Sequence, residues 1–204
     1  MAANPKQHYT LAEYFELERR SEERYEYWHG EVFCMSGVSP EHDQIESNTV
    51  FHLRSRLTGR PCRVFLANIR LKVPTAPPYR YADLAALCGQ PQYEKIGGLE
   101  SLTNPSLIVE VLSDSTEAYD RGDKFTHYKS IPHFSEYLLI AQHRPHVTQF
   151  VKQDEGTWLQ REFNDLSEVV KLVSLPCELP LSEIYQNVSF APAAPPGNLS
   201  PTAE

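Results

Sequence analysis

The run Leu107-Ile-Val-Glu-Val-Leu112 constrains the fold of this chain more than any other stretch. It is short and rich in β-branched residues. Asn104-Pro105 precedes it, and the polar series Ser113-Asp114-Ser115-Thr116 follows. An apolar run of this length between turn formers reads as a strand buried on both faces. Such a strand belongs in the middle of a sheet with helices packed on each side, which is an α/β arrangement. Glu110 interrupts the run. A buried carboxylate is costly unless it has a partner or a task, so this acid needs an explanation.

The remaining chain supplies the helices and further strands. Thr10 with Glu13 three residues on is a capping-box pair opening an amphipathic helix with Leu11, Tyr14 and Phe15. Tyr25 to Met35 reads as two strands turning at His29-Gly30. Ser39-Pro40 starts a second helix that Gly59 stops, with Ile45, Val50, Leu53 and Leu57 on its buried side. Strands are expected over residues 62–73, 81–88, 107–112 and 136–140, all in one sheet. A helix is expected from about residue 120 to 129, bounded by Pro132. Two last strands flank the turn Asp154-Glu155-Gly156. The stretch between the 81–88 and 107–112 strands, with Gly97-Gly98, reads as a connection.

Composition narrows the class. With 204 residues, 41% hydrophobic, the chain suits one domain with a proper core. That domain is expected over residues 9–188, after a flexible N-terminus at 1–8 and before a disordered Pro/Ala-rich tail at 189–204. No stretch has the length of a membrane span, and the start lacks the apolar core of a signal peptide, so the expected address is cytoplasmic. The four cysteines sit apart in apolar contexts and read as buried thiols. A net charge of -8 weighs against a non-specific nucleic-acid coat but leaves room for a local site.

Asp83 and Glu110 are single acids in apolar strand segments. If their strands are neighbours, the side chains converge, and close carboxylates repel unless a cation or proton lies between them. Oxygen donors of this kind suit magnesium. The alternative is that Asp83 caps a turn and Glu110 pairs with a structural arginine. Arg70 and Lys72 share a strand face and could touch phosphates or simply face water. Tyr128 and Tyr137 read as core residues.

The segments Glu26–Leu57, "YRYADLAALCG" and "NPSLIVEVLSDSTEAYDRGDKFTHYKSIPHFSEYLLI" resemble the Uma2 family, restriction-endonuclease-like proteins of the PD-(D/E)XK nuclease superfamily. The resemblance covers about residues 9–188. It implies a restriction-endonuclease-like core, a central mixed sheet flanked by helices, and magnesium-dependent cleavage of DNA. Asp83 matches the Asp of the "PD" segment and Glu110 the acid of the (D/E)XK element; both are implied metal ligands. Glu26 matches a family acid before the hairpin and would complete the catalytic set, with Glu31 as the other choice. His42 matches a histidine at the start of the second helix, where it could orient a phosphate or water or be merely structural.

Two positions depart from the pattern. Ala82 stands where the Pro of "PD" is usual, which changes backbone stiffness and removes no ligand. Leu112 stands at the lysine position of (D/E)XK and cannot stabilise charge. Lys124 is the candidate replacement, reaching back from the following helix, partly hydrated, so that its loss would hardly affect folding. Its alternative is a surface pair with Asp120. The expected function is a magnesium-dependent endonuclease hydrolysing DNA phosphodiesters, acting as a homodimer. The other reading is a nuclease-fold protein without activity that serves as a binding or scaffold module.

Overall fold

The computed structural model describes residues 8–190, other than 36 and 155. The expected flexible start and disordered tail lie almost wholly outside these residues.

Six strands form the main sheet: β3 (Cys62–Leu66), β6 (Leu84–Cys88), β9 (Leu107–Leu112), β10 (Glu136–Ala141), β11 (Val147–Lys152) and β12 (Trp158–Phe163). Their order is β12-β11-β10-β9-β6-β3. β9 and β10 are parallel and every other pair is antiparallel, so the sheet is mixed. A parallel pair needs a crossover, and residues 113–135 supply it. The crossover contains α3 (Glu117–Tyr119), a π-helical turn (Asp120–Lys124) and α4 (Phe125–Tyr128).

β9 is buried along its whole length, as its composition requires. Side chains alternate across a strand. Leu107, Val109 and Val111 face α2 (Pro40–Arg56) and the C-terminal elements β13 (Val169–Lys171), β14 (Glu178–Pro180) and α5 (Leu181–Ile184). Ile108 and Leu112 face the crossover with Phe125, Tyr128 and Phe134. Period two puts Glu110 on this second face, toward the crossover helix. α2 begins as its sequence indicates: Ser39 Oγ accepts from His42 N at 3.1 Å, and Pro40 opens the first turn.

A second, four-stranded sheet has the order β5-β4-β8-β7, built from β4 (Arg70–Leu71), β5 (Arg80–Tyr81), β7 (Tyr93–Ile96) and β8 (Leu99–Leu102). It packs against α1 (Leu11–Arg20) and the hairpin of β1 (Tyr25–Trp28) and β2 (Glu31–Cys34) through Tyr14, Val32, Tyr79 and Tyr81. Thr10 and Glu13 form the capping box of α1. Glu18 anchors this layer. Its Oε2 accepts from the Tyr79 hydroxyl at 3.1 Å, the Tyr81 hydroxyl at 2.7 Å and Arg70 Nη2 at 3.0 Å.

The second sheet corrects three expectations. Residues 62–73 and 81–88 do not lie in one sheet. Ile69 N closes a turn on Leu66 O at 3.0 Å, which ends β3 and sends Arg70 and Leu71 into the other sheet. Tyr81 likewise ends β5, and the chain crosses at Ala82-Asp83 to start β6. The expected connection around Gly97-Gly98 is a β7–β8 hairpin. Both glycines have positive φ, +58° and +83°, as a primed two-residue turn demands. Arg70 and Lys72 are engaged by Glu18 and Glu94 and do not form an open basic face.

The cysteine expectation is also corrected. Cys62 and Cys88 are directly opposite in the β3–β6 register, with Cα atoms 3.9 Å apart, and form a disulfide. Register, invisible in sequence spacing, brings them together. Another buried carboxylate organises the far end of the molecule. Glu136 on β10 accepts from Val173 N (3.0 Å), Ser174 N (2.8 Å) and Ser174 Oγ (2.6 Å). No helix among the described residues is long and apolar enough to cross a membrane.

Candidate active site

Antiparallel pairing of β6 with β9 matches Leu84 to Val109. One step further along that register, Asp83 lies beside Glu110. Asp83 N approaches Glu110 Oε2 at 3.4 Å, and Asp83 Oδ2 accepts from Val111 N at 2.7 Å. The two acids meet because one ends the crossing between sheets and the other faces the crossover.

Lys124 enters from the π-helical turn. Its Nζ lies 2.9 Å from Glu110 Oε1 and 3.2 Å from Asp120 Oδ1. Only 4% of Lys124 and 2% of Glu110 remain exposed, so this is a buried ion pair. The expectation of a partly hydrated lysine is therefore corrected. The face shared by Asp120 and Lys124 points inward because Phe125 and Tyr128, which follow directly, are core residues. The Tyr128 hydroxyl donates to Glu110 Oε1 at 2.9 Å, sharing its proton with the Tyr81 carbonyl at 3.2 Å. Tyr128 is thus both core and part of the site.

His42 and Glu46 come from the first turns of α2, four residues apart and so on one helix face. His42 Nε2 is 3.3 Å from Asp83 Oδ2. One donor atom each from His42, Glu46 and Asp83 lies within 4.8 Å of the others, a grouping able to hold a metal ion. The sequence alone does not mark Glu46 as a site residue; its i,i+4 relation to His42 is the one local signal. Asp120, read there only as a surface partner of Lys124, is buried at the site.

Glu26 occupies a different place. Its Oε1 accepts from Tyr81 N at 2.7 Å and its Oε2 lies 3.7 Å from Arg80 Nε. It fixes the end of β5, two residues before Asp83. Glu31 is exposed on the hairpin.

The electrostatics follow from burial and crowding. Burial pushes the Glu110 carboxyl well above its ordinary range; Lys124 opposes this, while Asp83 and Asp120 add to it. Burial works against the Lys124 ammonium, but Asp120 and Glu110 hold its pKa well above the usual value. Lys124 is therefore charged. Burial also acts against the Asp83 carboxylate, yet His42, Lys124 and the Val111 N–H bring it below the usual range. Glu46 is pushed up to about 7, by burial and then by Asp83. For His42, burial is outweighed by Asp83, Glu46 and Asp120, and the net direction is up. Asp83, Glu110, Asp120 and Glu46 outnumber Lys124 and His42. A divalent cation would offset that crowding and favour the ionised forms of Glu110 and Glu46.

These residues line a cleft of about 660 Å³. Its walls include Arg24, Ser113, Ser115, Thr116, Tyr119 and Gln142. Arg24 ties the hairpin to the β3–β4 turn by donating to Ala67 O (2.8 Å) and Met35 O (3.1 Å).

A central mixed sheet flanked by helices, with an acid on β9 beside another just before the start of the adjacent β6, is a restriction-endonuclease-like core of the PD-(D/E)XK nuclease superfamily. The chain belongs to the Uma2 family, whose model, described as "Putative restriction endonuclease", matches residues 11–182. Two relatives come from Synechocystis sp. (strain ATCC 27184 / PCC 6803 / Kazusa). The uncharacterized protein slr1290 is 31% identical over 178 residues, covering 87% of this chain and 92% of the relative. The uncharacterized protein sll1609 is 33% identical over 153 residues, covering 75% and 86%. A crystal structure from Anabaena variabilis ATCC 29413, titled as a putative nuclease belonging to DUF820, superposes with a TM-score of 0.68. It covers 87% of this chain and 97% of the other at 19% identity, a likeness of fold.

Proposed function

We propose that the protein is a divalent-cation-dependent endonuclease that hydrolyses phosphodiester bonds of DNA, with magnesium as the cation the superfamily implies. The observation that carries this reading is Lys124 Nζ at 2.9 Å from Glu110 Oε1, beside Asp83. It supplies, from the crossover helix, the ammonium that Leu112 cannot provide on the strand. Position in space and not order in sequence determines whether a charge can serve.

The donor set fits a cation. Asp83 and Glu110 offer oxygens, and Glu110 Oε2 is the oxygen not taken by Lys124 or Tyr128. Asp83 and Glu110 would hold the ion, which when bound would supply Lewis-acid polarisation of the phosphodiester. Lys124 positions the attacking water and stabilises negative charge developing on the phosphoryl oxygens. Tyr128 and Asp120 hold Glu110 and Lys124 in place. Glu26 acts one step back, fixing the strand end that presents Asp83. Two copies related by a two-fold axis would offer one site per DNA strand, and sedimentation of the purified protein measures that association.

The test is cleavage of supercoiled, linear and single-stranded DNA in magnesium by the parent, Asp83→Asn and Glu110→Gln. Cleavage by the parent and its loss in both variants is expected. No cleavage by the parent on any of these substrates, or on RNA, overturns the proposal and leaves the binding or scaffold role.

A further inference from the structure

The cluster on α2 carries more information than the presence of an ion. We infer that His42 and Glu46 join Asp83 as ligands, and that the imidazole makes this site prefer manganese-class divalent ions to magnesium. The inference shares with the proposed function the premise that Asp83 holds a cation, but it does not depend on hydrolysis.

Geometry comes first. Donor atoms on opposite sides of an ion, each at about 2.2 Å, stand about 4.4 Å apart. The three donors here already lie within 4.8 Å of one another. Little movement is needed to close them on an ion. His42 and Glu46 are one helical turn apart on α2, so their side chains leave the same face. Ser39 fixes that turn from both sides: it caps His42 N and its hydroxyl donates to Gln142 Oε1 at 3.2 Å, just after β10. The ligands therefore stand on a pinned helix start and not on a free loop.

The state of His42 points to a ligand. The residue is 7% exposed, and its Nε2 is buried without a well-directed hydrogen-bond partner, although Asp83 Oδ2 is close. A buried ring nitrogen aimed at two carboxylates and left unsatisfied is unfavourable, and coordination removes that deficit. The cleft lined by these same residues gives an entry path.

Ligand chemistry sets the preference. Magnesium favours oxygen donors in a strict octahedron and sheds water reluctantly. Imidazole adds affinity along the first transition series and adds little for magnesium. One imidazole among the carboxylate donors thus widens the separation of the two ions beyond what carboxylates alone would give.

The experiment uses the full chain freed of metal by chelation. Manganese is titrated and the free ion is followed by its electron paramagnetic resonance signal, with magnesium as competitor. The parent should bind one manganese per chain and keep it against about a tenfold excess of magnesium. His42→Asn should lose roughly 10- to 100-fold in manganese affinity while its magnesium affinity stays nearly constant, so the preference collapses. Glu46→Gln should weaken both ions. Circular dichroism checks that the variants fold. Spin-echo modulation of the manganese-loaded parent needs no variant and should show a directly bound nitrogen. Absence of that nitrogen, displacement by equal magnesium, or an unchanged preference in His42→Asn overturns the inference. Manganese bound through nitrogen with no cleavage of any nucleic acid supports it and overturns the proposed function instead. Cleavage equally supported by both ions, with no bound nitrogen, does the reverse.

Discussion

Replacing Lys124 with alanine tests whether the buried pair is as the structure describes it. An exposed Asp–Lys pair four residues apart on a helix is worth a few tenths of a kcal/mol. Lys124 is not exposed: it sits between Glu110 and Asp120, both almost fully buried. Removing it strands two buried carboxylates, and loss of one partner from a buried pair costs about 3–5 kcal/mol. For a domain of this size the urea slope is about 2 kcal/mol per molar, so the midpoint should fall by about 2 M. A total stability near the middle of the usual range, about 10 kcal/mol, leaves the variant folded at low denaturant. The assay is urea unfolding at neutral pH followed by tryptophan fluorescence and circular dichroism. A companion variant combines Lys124→Met, Glu110→Gln and Asp120→Asn. It removes the charges together and should recover most of the loss, because uncharged packing can replace a buried pair at little cost. A midpoint shift below about 0.5 M in Lys124→Ala would refute the buried arrangement, since roughly 1 kcal/mol is the scale of an exposed pair. Cleavage rates of Lys124→Ala must accordingly be compared at equal folded fraction.

Three further outcomes follow from other parts of the molecule. Glu136→Ala leaves the Val173 and Ser174 N–H groups without their acceptor and should destabilise by about 1–3 kcal/mol per buried group left unsatisfied, read by the same urea assay. Peptide mapping without reductant should find Cys62 joined to Cys88. Cys62→Ser with Cys88→Ser should lower stability by about 3 kcal/mol, as expected for a closed loop of this length. The Glu13 carboxyl is held below its ordinary range by the Thr10 N–H and hydroxyl, so its contribution is present at neutral pH and lost as pH falls through its folded pKa. Thermal melts of parent and Glu13→Ala should differ at pH 7 and converge at acid pH.

The centre of the fold is legible because it rests on local pattern. β9 is marked by its β-branched run, α1 by Thr10 and Glu13, and α2 by Ser39-Pro40. What the sequence hides is register and crossing. Nothing local distinguishes Tyr81, which ends a strand of one sheet, from Leu84, which begins a strand of another. The Cys62–Cys88 pairing depends on the same kind of register. At the site, Asp83 and Glu110 stand out as isolated acids in apolar surroundings. Glu46 and Asp120 do not, since acids four residues from a histidine or a lysine on a helix read equally well as solvated pairs. The burial of Lys124 depends on which face of the crossover meets the sheet, and tertiary packing decides that face.

The place of Lys124 in the chain has a consequence for how the protein assembles. β6 and β9 can pair as soon as both exist, and that pairing sets Asp83 against Glu110. Lys124 lies on the crossover beyond β9. Until the crossover docks, the two acids face each other with no cation between them, and their repulsion opposes the pairing that creates the middle of the sheet. The central strands and the crossover are therefore electrostatically interdependent, each favouring the native arrangement of the other. The same charges that crowd the cleft penalise a half-built sheet, so the sheet and the crossover assemble together.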